Sequence, residues 1–197
     1  DLHRVDRRQR QMCIRDRFNR EGLPLRIIGF PAFLYEAFLE YKNRKLEQLR
    51  FPPESFVITG GGWKTKADKE IPRREFKKVI GEWLGIPPAN VRDLYGMVEH
   101  GIPYCECEEG NLHVPIYSRA VARDPGSLRI LPDYEAGILH FYTPYLHSFP
   151  AISLLTTDLG FTGRECPCGR NAPFIEIIGR GGVTKYKGCA VQALEYL

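Results

Sequence analysis

The first hundred residues alternate short apolar runs with amphipathic stretches. Leu25–Phe30, Phe56–Thr59 and Val91–Tyr95 are apolar runs of the length expected for buried strands. After the first run, helical spacing of apolar side chains predicts a helix that begins at Pro31, because proline is favoured in the first helical turn. The predicted inward face of this helix consists of Phe33, Ala37, Phe38 and Tyr41.

A second amphipathic helix is predicted between the second and third strands. It begins near Pro72 and ends at Gly85, a residue type favoured directly after helices. Its apolar face consists of Phe76, Val79, Ile80 and Leu84. The alternation of strand and helix predicts an α/β fold whose sheet is mostly parallel.

The pattern changes after about residue 100, where short β-rich segments are separated by turn residues. The predicted strands are His113–Tyr117, Gly137–Tyr142, Ala151–Leu155 and Phe174–Ile178. They suggest a meander or a small barrel. We therefore expect an α/β part over residues 18–100 and a β-rich part over residues 101–197.

The formal charge of +4 comes largely from the N-terminal segment. Residues 1–17 hold six Arg and three Asp, so 22 basic and 21 acidic residues remain in the rest of the chain. That balance gives no electrostatic basis for nucleic-acid binding. Because Arg10–Arg17 resembles translated sequencing-adapter sequence, we expect residues 1–17 to be an artefactual or disordered tail.

Hydropathy and cysteine content indicate the compartment. No apolar run reaches the length of a membrane span, and no apolar segment follows the N-terminus as in a signal peptide. Six cysteines in 197 residues are too sparse for a secreted disulfide scaffold. We therefore expect a cytoplasmic protein.

The first candidate site follows the second predicted strand and consists of Gly60, Gly61, Gly62, Trp63 and Lys64. Glycines after a strand let the backbone approach a ligand closely, and ligands of open α/β sheets bind at the carboxyl ends of strands. The glycines and Trp63 are therefore candidate cofactor-binding residues, and Lys64 is a candidate catalytic cation. The alternative is a tight turn followed by a solvated lysine.

Two further candidate sites follow strands. Tyr95, Gly96 and Glu99 come after the third predicted strand, where an aromatic ring can stack on a base and a carboxylate can hold a metal ion. Asp158 is expected at the end of another strand, where its carboxylate can accept hydrogen bonds from two ribose hydroxyls. The alternatives are a solvated glutamate and a turn-capping aspartate.

Two cysteine pairs suggest a structural zinc site. Cys105 and Cys107 lie far in sequence from Cys166 and Cys168, and the second pair forms a turn-rich knuckle. With His113, the favoured ligands are Cys107, His113, Cys166 and Cys168, and Cys105 is a substitute. The alternative is a set of reduced, metal-free cysteines.

The order of these motifs resembles the adenylate-forming superfamily. A glycine loop, Tyr-Gly-x-x-Glu, a strand with Asp and a final Gly-Arg, here ending at Arg180, occur in that sequence. The resemblance implies part of an adenylate-forming N-terminal domain that uses ATP and Mg²⁺. It also implies that Tyr95 lies against adenine and Glu99 contacts Mg²⁺, while Asp158 binds ribose and Arg180 lies near ribose or phosphate.

Within the superfamily, the chain resembles the acyl-protein synthetases that supply fatty acid for bacterial luminescence. Ile58–Lys64 and Lys187–Ala190 are the specific elements, and the likeness covers about residues 25–197. The resemblance implies formation of an acyl adenylate from a fatty acid. It also implies transfer of the acyl group to Cys189 and then to a reductase or carrier protein.

Two other interpretations remain open. The Cys-x-Cys-Gly-Arg arrangement is similar to that of phenylacetate-CoA ligases, which favours an aryl- or acyl-CoA ligase. A non-catalytic, zinc-stabilised β module that binds a partner is the third interpretation. The upstream phosphate loop and the C-terminal lid of this superfamily have no counterpart here, so we expect a C-terminal part that is incomplete as an enzyme.

Overall fold

The computed structural model describes residues 21–46, 48–146 and 151–180, except for the side chains of residues 64, 65 and 67. The chain divides into two compact units. The first contains the described residues up to Trp63 together with Lys69–Arg92, and the second contains Lys64–Asp68 and the described residues from Asp93 onward. Across the described ranges, no helix is both long and apolar enough to cross a membrane.

The described part of the first unit begins with two strands and two helices in alternation. They are β1 (Arg26–Gly29), α1 (Pro31–Asn43), β2 (Phe56–Gly60) and α2 (Arg73–Leu84). β1 pairs in parallel with β2, in a register that places Ile28 opposite Ile58. A parallel neighbour joined through a helix is the βαβ arrangement that the sequence predicts, and the α/β fold class is confirmed.

The core of the first unit lies under α2. Phe76, Ile80 and Leu84 are buried, as the helical spacing predicts, and Gly85 ends the helix with a left-handed backbone at φ 68°. The prediction for α1 is partly wrong, since Phe33 is 59% exposed and Ala37 is also exposed. The helix is rotated from the predicted orientation. The side chains of α1 that pack on the core are Ala32, Leu34, Tyr35 and Phe38.

Strand β3 (Val91–Tyr95) contains the boundary between the units, after Arg92. The hydrogen-bonded order of this sheet is β1-β2-β3-β4, where β4 is the short strand Tyr104–Cys105. β4 runs antiparallel to β3, with Tyr95 opposite Tyr104. Lys64–Lys69 is a 3₁₀ segment with a kink at Lys66, and Pro88–Asn90 is a further 3₁₀ turn.

The second unit contains a five-stranded antiparallel sheet. Its strands are β5 (Leu112–His113), β6 (Arg119–Arg123), β7 (Gly137–Tyr142), β8 (Ser153–Gly163) and β9 (Phe174–Arg180), in the order β5-β9-β8-β7-β6. Leu139, Phe141 and Ile175 are fully buried at its core. β6–β7–β8–β9 is the meander that the sequence suggests.

Three details of this half differ from the sequence-based prediction. The strand predicted at His113–Tyr117 is limited to Leu112–His113, because a turn follows in which the Ser118 N–H donates to the Pro115 carbonyl oxygen. Strand β6 is not among the predicted strands. The strand predicted to end at Leu155 continues to Gly163. The polar Thr-Thr-Asp sequence resembles a strand end, but β7 and β9 pair with this strand on both sides.

Candidate active site

Three predicted nucleotide-site residues converge in the second unit. The Tyr95 hydroxyl donates to Asp158 Oδ2 at 2.7 Å, and Arg180 Nε donates to Asp158 Oδ1 at 3.1 Å. The Asp158 side chain is 12% exposed, whereas that of Arg180 is 59% exposed. The result is a mostly buried carboxylate held between a phenol and a guanidinium, with the guanidinium facing solvent.

The three strands β3, β8 and β9 supply these side chains. Asp158 lies directly opposite Arg180 in the β8–β9 pairing, so their contact follows from strand register. The expectation that Asp158 ends a strand is wrong, because it lies in the middle of β8. The register shifts between Leu159 and Gly160, one residue beyond the aspartate. Such an irregularity re-aims neighbouring side chains and is common beside functional sites.

Burial keeps the Tyr95 phenol protonated. Desolvation raises the pKa of Tyr95 far above its ordinary value, and the hydrogen bond to Asp158 raises it further. The hydroxyl is therefore a stable donor to the carboxylate at neutral pH. The Tyr95 ring packs against Phe141 with a centroid distance of 5.8 Å, which fixes its orientation.

Gly96 and Glu99 lie in the turn between β3 and β4. Glu99 is exposed, as is Gly96, and the backbone N–H groups of His100 and Gly101 donate to the carbonyl oxygen of Met97. This turn holds the Glu99 side chain out of the protein interior. An exposed carboxylate after a strand is available to a ligand, and the role of Glu99 stays a prediction.

The glycine loop belongs to the first unit. Gly60 is the last residue of β2, and the exposed Gly61 and Gly62 have φ values of 75° and 64°, which favour glycine. Trp63 is 9% exposed and packs edge-on against Tyr35 and Phe76, at centroid distances of 5.6 and 6.0 Å. Its ring anchors the loop to the core, while Gly61 and Gly62 are exposed to solvent.

Two predicted catalytic groups have no described side chain. Lys64 is the first residue of a 3₁₀ segment, and its side chain lies outside the described atoms. Cys189, together with Lys185 and Lys187, lies outside the described residues. The predicted tail at residues 1–17 does as well.

The four favoured metal ligands come together in the second unit. One potential ligand atom from each of Cys107, His113, Cys166 and Cys168 lies within 4.8 Å of all the others. Cys107 Sγ is 3.6 Å from Cys166 Sγ, and Cys168 Sγ is 3.3 Å from His113 Nε2. Tetrahedral Zn²⁺ with ordinary bond lengths requires ligand separations of about 3.5–3.8 Å. The substitute ligand Cys105 is exposed and does not belong to the cluster.

Neighbouring groups orient these ligands. His113 Nδ1 lies 3.1 Å from the Ala172 carbonyl oxygen, so Nδ1 carries the proton and the Nε2 lone pair faces the thiols. Asn111 Nδ2 donates to Cys166 Sγ at 3.1 Å. Burial opposes ionisation of Cys166, but hydrogen bonds from Asn111 and from neighbouring groups lower its pKa. In contrast, burial raises the pKa of Cys107.

His100 is a polar side chain near Tyr95 whose role the sequence pattern does not indicate. It is fully buried and lies 2.7 Å from the Tyr104 hydroxyl. Tyr104 in turn lies 2.6 Å from Ser118 Oγ. A histidine directly after the Tyr-Gly-x-x-Glu motif was the available signal, but its partners are visible only in the fold.

Comparison with known proteins establishes the family. A family profile described as "Acyl-protein synthetase, LuxE" matches residues 4–197. The chain belongs to the LuxE acyl-protein synthetase family. Long-chain-fatty-acid–luciferin-component ligase from Vibrio harveyi is 30% identical over 179 residues, which cover 89% of this chain and 46% of that protein. The Aliivibrio fischeri ligase of the same name is 29% identical, over 84% of this chain and 44% of its own length.

Solved structures show the same fold for this LuxE-family chain. A 2-hydroxyisobutyryl-CoA ligase in the postadenylation state superposes with a TM-score of 0.64 at 21% identity, over 85% of this chain and 35% of its own. A long-chain-fatty-acid-CoA ligase from Archaeoglobus fulgidus gives 0.58 at 13% identity, over 87% and 37%. The chain has the fold of part of an adenylate-forming domain. It spans less than half the length of the curated relatives that it matches.

Proposed function

We propose that this chain carries part of the nucleotide site of an ATP-dependent ligase that activates a long-chain fatty acid as acyl-AMP. The observation that carries the proposal is the convergence of Tyr95, Asp158 and Arg180. These residues occupy the motif positions that resemble the adenine- and ribose-binding positions of adenylate-forming enzymes. Membership of the LuxE family supports the fatty acid as the substrate class.

The carboxylate of Asp158 has the capacity for this role. A carboxylate offers about four lone-pair positions, and Tyr95 and Arg180 use one position on each oxygen. Each oxygen can therefore accept one further hydrogen bond from a ribose hydroxyl. Held from both sides, Asp158 needs little reorganisation when the nucleotide binds, and preorganised groups bind with a smaller entropic cost.

Glu99 and the glycine loop supply the other proposed contacts. The exposed Glu99 carboxylate would coordinate Mg²⁺, which when bound neutralises phosphate charge during adenylation. Gly61 and Gly62 would let backbone approach the nucleotide or the acid, and Lys64 would supply a cation toward the reacting phosphate or carboxylate.

Transfer of the acyl group is the second half of the proposed reaction. The Cys189 thiolate would attack the acyl carbonyl carbon of the adenylate, form a thioester and release AMP. A reductase or carrier protein would then accept the acyl group. The alternative is a phenylacetate-type ligase that uses coenzyme A as the thiol. The cysteine knuckle favours this alternative, whereas the family match and the Lys187–Ala190 element favour the acyl-protein synthetase.

We also propose that Cys107, His113, Cys166 and Cys168 hold a structural Zn²⁺. The 3.6 Å between Cys107 Sγ and Cys166 Sγ suits two thiolates on one tetrahedral Zn²⁺, and the His113 tautomer leaves the correct nitrogen for a metal. Because four protein side chains would fill a tetrahedral coordination sphere, the site would leave no open position for catalysis. Thiolate ligands require reduced cysteines, in agreement with the cytoplasmic location that the sequence predicts.

Pyrophosphate exchange in the full-length protein tests the proposed activation step. Asp158→Ala and Glu99→Ala should each lower kcat/KM for ATP by roughly 10- to 100-fold, because each removes a charged contact to the nucleotide or its metal. Glu135→Ala is the matched control, since Glu135 is an exposed glutamate of the same unit. Wild-type exchange in both site variants would exclude the assignment. Absence of exchange in the wild type would favour the partner-binding module instead.

A further inference from the structure

His100 is a buried polar side chain that the proposed reaction does not use. It is 0% exposed and directly follows Glu99 in the turn between β3 and β4. Its ring stacks on Tyr104 at a 10° interplanar angle and packs against Phe141 at a centroid distance of 5.2 Å. A buried imidazole requires a hydrogen-bonded partner, and here that partner is the end of a chain of hydroxyl groups.

The direction of each hydrogen bond in this chain follows from counting protons. Ser118 Oγ lies 3.1 Å from the Tyr142 carbonyl oxygen, which can only accept, so the single Ser118 hydroxyl proton is used there. Ser118 Oγ must then accept from the Tyr104 hydroxyl at 2.6 Å. With its own proton directed at Ser118, Tyr104 must accept from His100 Nε2 at 2.7 Å.

This order fixes the tautomer of His100. Nε2 carries the proton and Nδ1 holds a lone pair, which has no partner within the part of the chain that the structure describes. A second proton at Nδ1 would be buried without an acceptor, so the ring stays neutral.

The chain of hydrogen bonds ties one turn to the five-stranded sheet. His100 lies in the turn, Tyr104 in β4 and Ser118 just before β6, and the final acceptor is the carbonyl group of Tyr142 in β7. Because Glu99 and His100 are adjacent, anchoring the imidazole in the core holds the neighbouring carboxylate on the solvent side. The backbone bonds from His100 and Gly101 to Met97 alone leave the orientation of the turn relative to the sheet undetermined.

We propose that His100 is a positioning residue for Glu99, acting through its Nε2–H bond to Tyr104 to set where the carboxylate meets the magnesium nucleotide. The inference rests on the proposed nucleotide function. It adds a specific requirement, a hydrogen-bond donor at the Nε2 position, which packing alone would not impose. Neither the aromatic stacking nor the core volume around His100 depends on that proton.

Conservative variants of the full-length protein test this requirement. His100→Leu removes the donor and should lower kcat/KM for Mg·ATP in pyrophosphate exchange by roughly 10- to 100-fold, the usual cost of losing a group that orients a metal ligand. His100→Gln places an amide N–H near the Nε2 position and should restore activity to within about threefold of wild type. Tyr104→Phe keeps the stacked ring but removes the acceptor, and should resemble His100→Leu.

A matched control separates positioning from general loss of a histidine. His140 lies on β7, and its Nε2 is 2.8 Å from Ser153 Oγ, so it also bonds a hydroxyl group in the same unit. His140→Leu should leave the Mg·ATP dependence unchanged. Equal losses of kcat/KM in His100→Leu and His100→Gln would overturn the proposal. Both variants lack the ring, so equal losses would mean that packing matters and the hydrogen-bond donor does not.

Spectroscopy on the chain itself supplies a readout that is independent of activity. Two-bond ¹⁵N–¹H correlation should identify His100 as the neutral Nε2–H tautomer, and the opposite tautomer would overturn the proposal. Glu99→Gln distinguishes a failure of the proposed nucleotide function from a failure of the positioning role of His100. Normal exchange in Glu99→Gln would exclude the proposed role of Glu99. Normal exchange in His100→Leu beside a defective Glu99→Gln would exclude only the positioning role.

Discussion

Asp158 and Arg180 face each other across the antiparallel pair β8–β9, with Arg180 Nε 3.1 Å from Asp158 Oδ1. The aspartate is mostly buried and the arginine is 59% exposed on its side chain. The Asp158 carboxylate is therefore buried in the sheet, and the Arg180 guanidinium faces the solvent where a nucleotide is proposed to bind.

Removing the guanidinium should weaken nucleotide binding more than it weakens the fold. Arg180→Met should raise KM for ATP in pyrophosphate exchange by roughly 3- to 10-fold, because a charge-assisted contact near ribose or phosphate is lost. Thermal unfolding should change little, since an ion pair with an exposed partner contributes about 0–1 kcal/mol. Arg164→Met is the control, because Arg164 pairs with Asp133 at 2.9 Å in the same way. An equal KM in both variants would contradict the prediction.

The thiol cluster should bind metal stoichiometrically. Purified protein should contain about one zinc per chain, and Cys166→Ser or Cys168→Ser should lose it. If metal binding contributes about 3 kcal/mol, its loss lowers Tm by roughly 6–12 °C. Cys105→Ser is the control because Cys105 is exposed and outside the cluster. Metal-free protein whose melting is unaffected by chelators would exclude the site.

A covalent intermediate distinguishes the two ligase interpretations. Full-length protein given labelled fatty acid and ATP should form a hydroxylamine-sensitive acyl-thioester. Cys189→Ser should still make acyl-AMP, but should hold no acyl group or hold it as a slower-reacting oxygen ester. A normal thioester on that variant would place the acyl group on another thiol and would favour the phenylacetate-type ligase.

Alkaline pH should destabilise the β-rich unit through its buried tyrosines. Burial raises the pKa of Tyr104 from 10.0 to about 12. A phenol with a raised pKa in the folded state is deprotonated first in the unfolded chain, so stability is lost as pH rises from about 10 to 12. The total loss of unfolding free energy over this interval should be about 3 kcal/mol for this one group.

Chemical denaturation at several pH values measures that loss. Tyr104→Phe should give a shallower decline in the free energy of unfolding between pH 10 and 12, whatever its stability at neutral pH. Tyr145→Phe is the control, because Tyr145 is 61% exposed. Identical pH slopes in wild type and Tyr104→Phe would refute the assignment.

Sequence predicted most reliably what depends on local spacing. The amphipathic face of α2 and the left-handed Gly85 follow from neighbours a few residues apart. The four side chains of the predicted metal site also converge, although they lie far apart in sequence and metal binding stays a prediction. Phe33 and Ala37 were placed inward by the same reasoning and are exposed, because several apolar faces of α1 were compatible with the pattern.

Long-range pairing explains the remaining differences. Asp158 was expected at a strand end, yet β7 and β9 extend β8 through it, and neither partner is visible in the local sequence. The role inferred for His100 depends on Tyr104, Ser118 and a backbone carbonyl of β7, which only the folded sheet brings together. The sequence identified which residues could carry chemistry, but the fold determines which of them share hydrogen bonds.

The thiol cluster also has a consequence for how the chain folds. Cys166 and Cys168 lie in the connection of the β8–β9 hairpin, whereas Cys107 is 59 residues from Cys166 along the chain. Closing a flexible loop of that length costs on the order of 4 kcal/mol in chain entropy. The hairpin, which also brings Asp158 and Arg180 together, connects residues much closer in sequence. An ion bound by its two thiols would offset the closure cost when Cys107 and His113 join it.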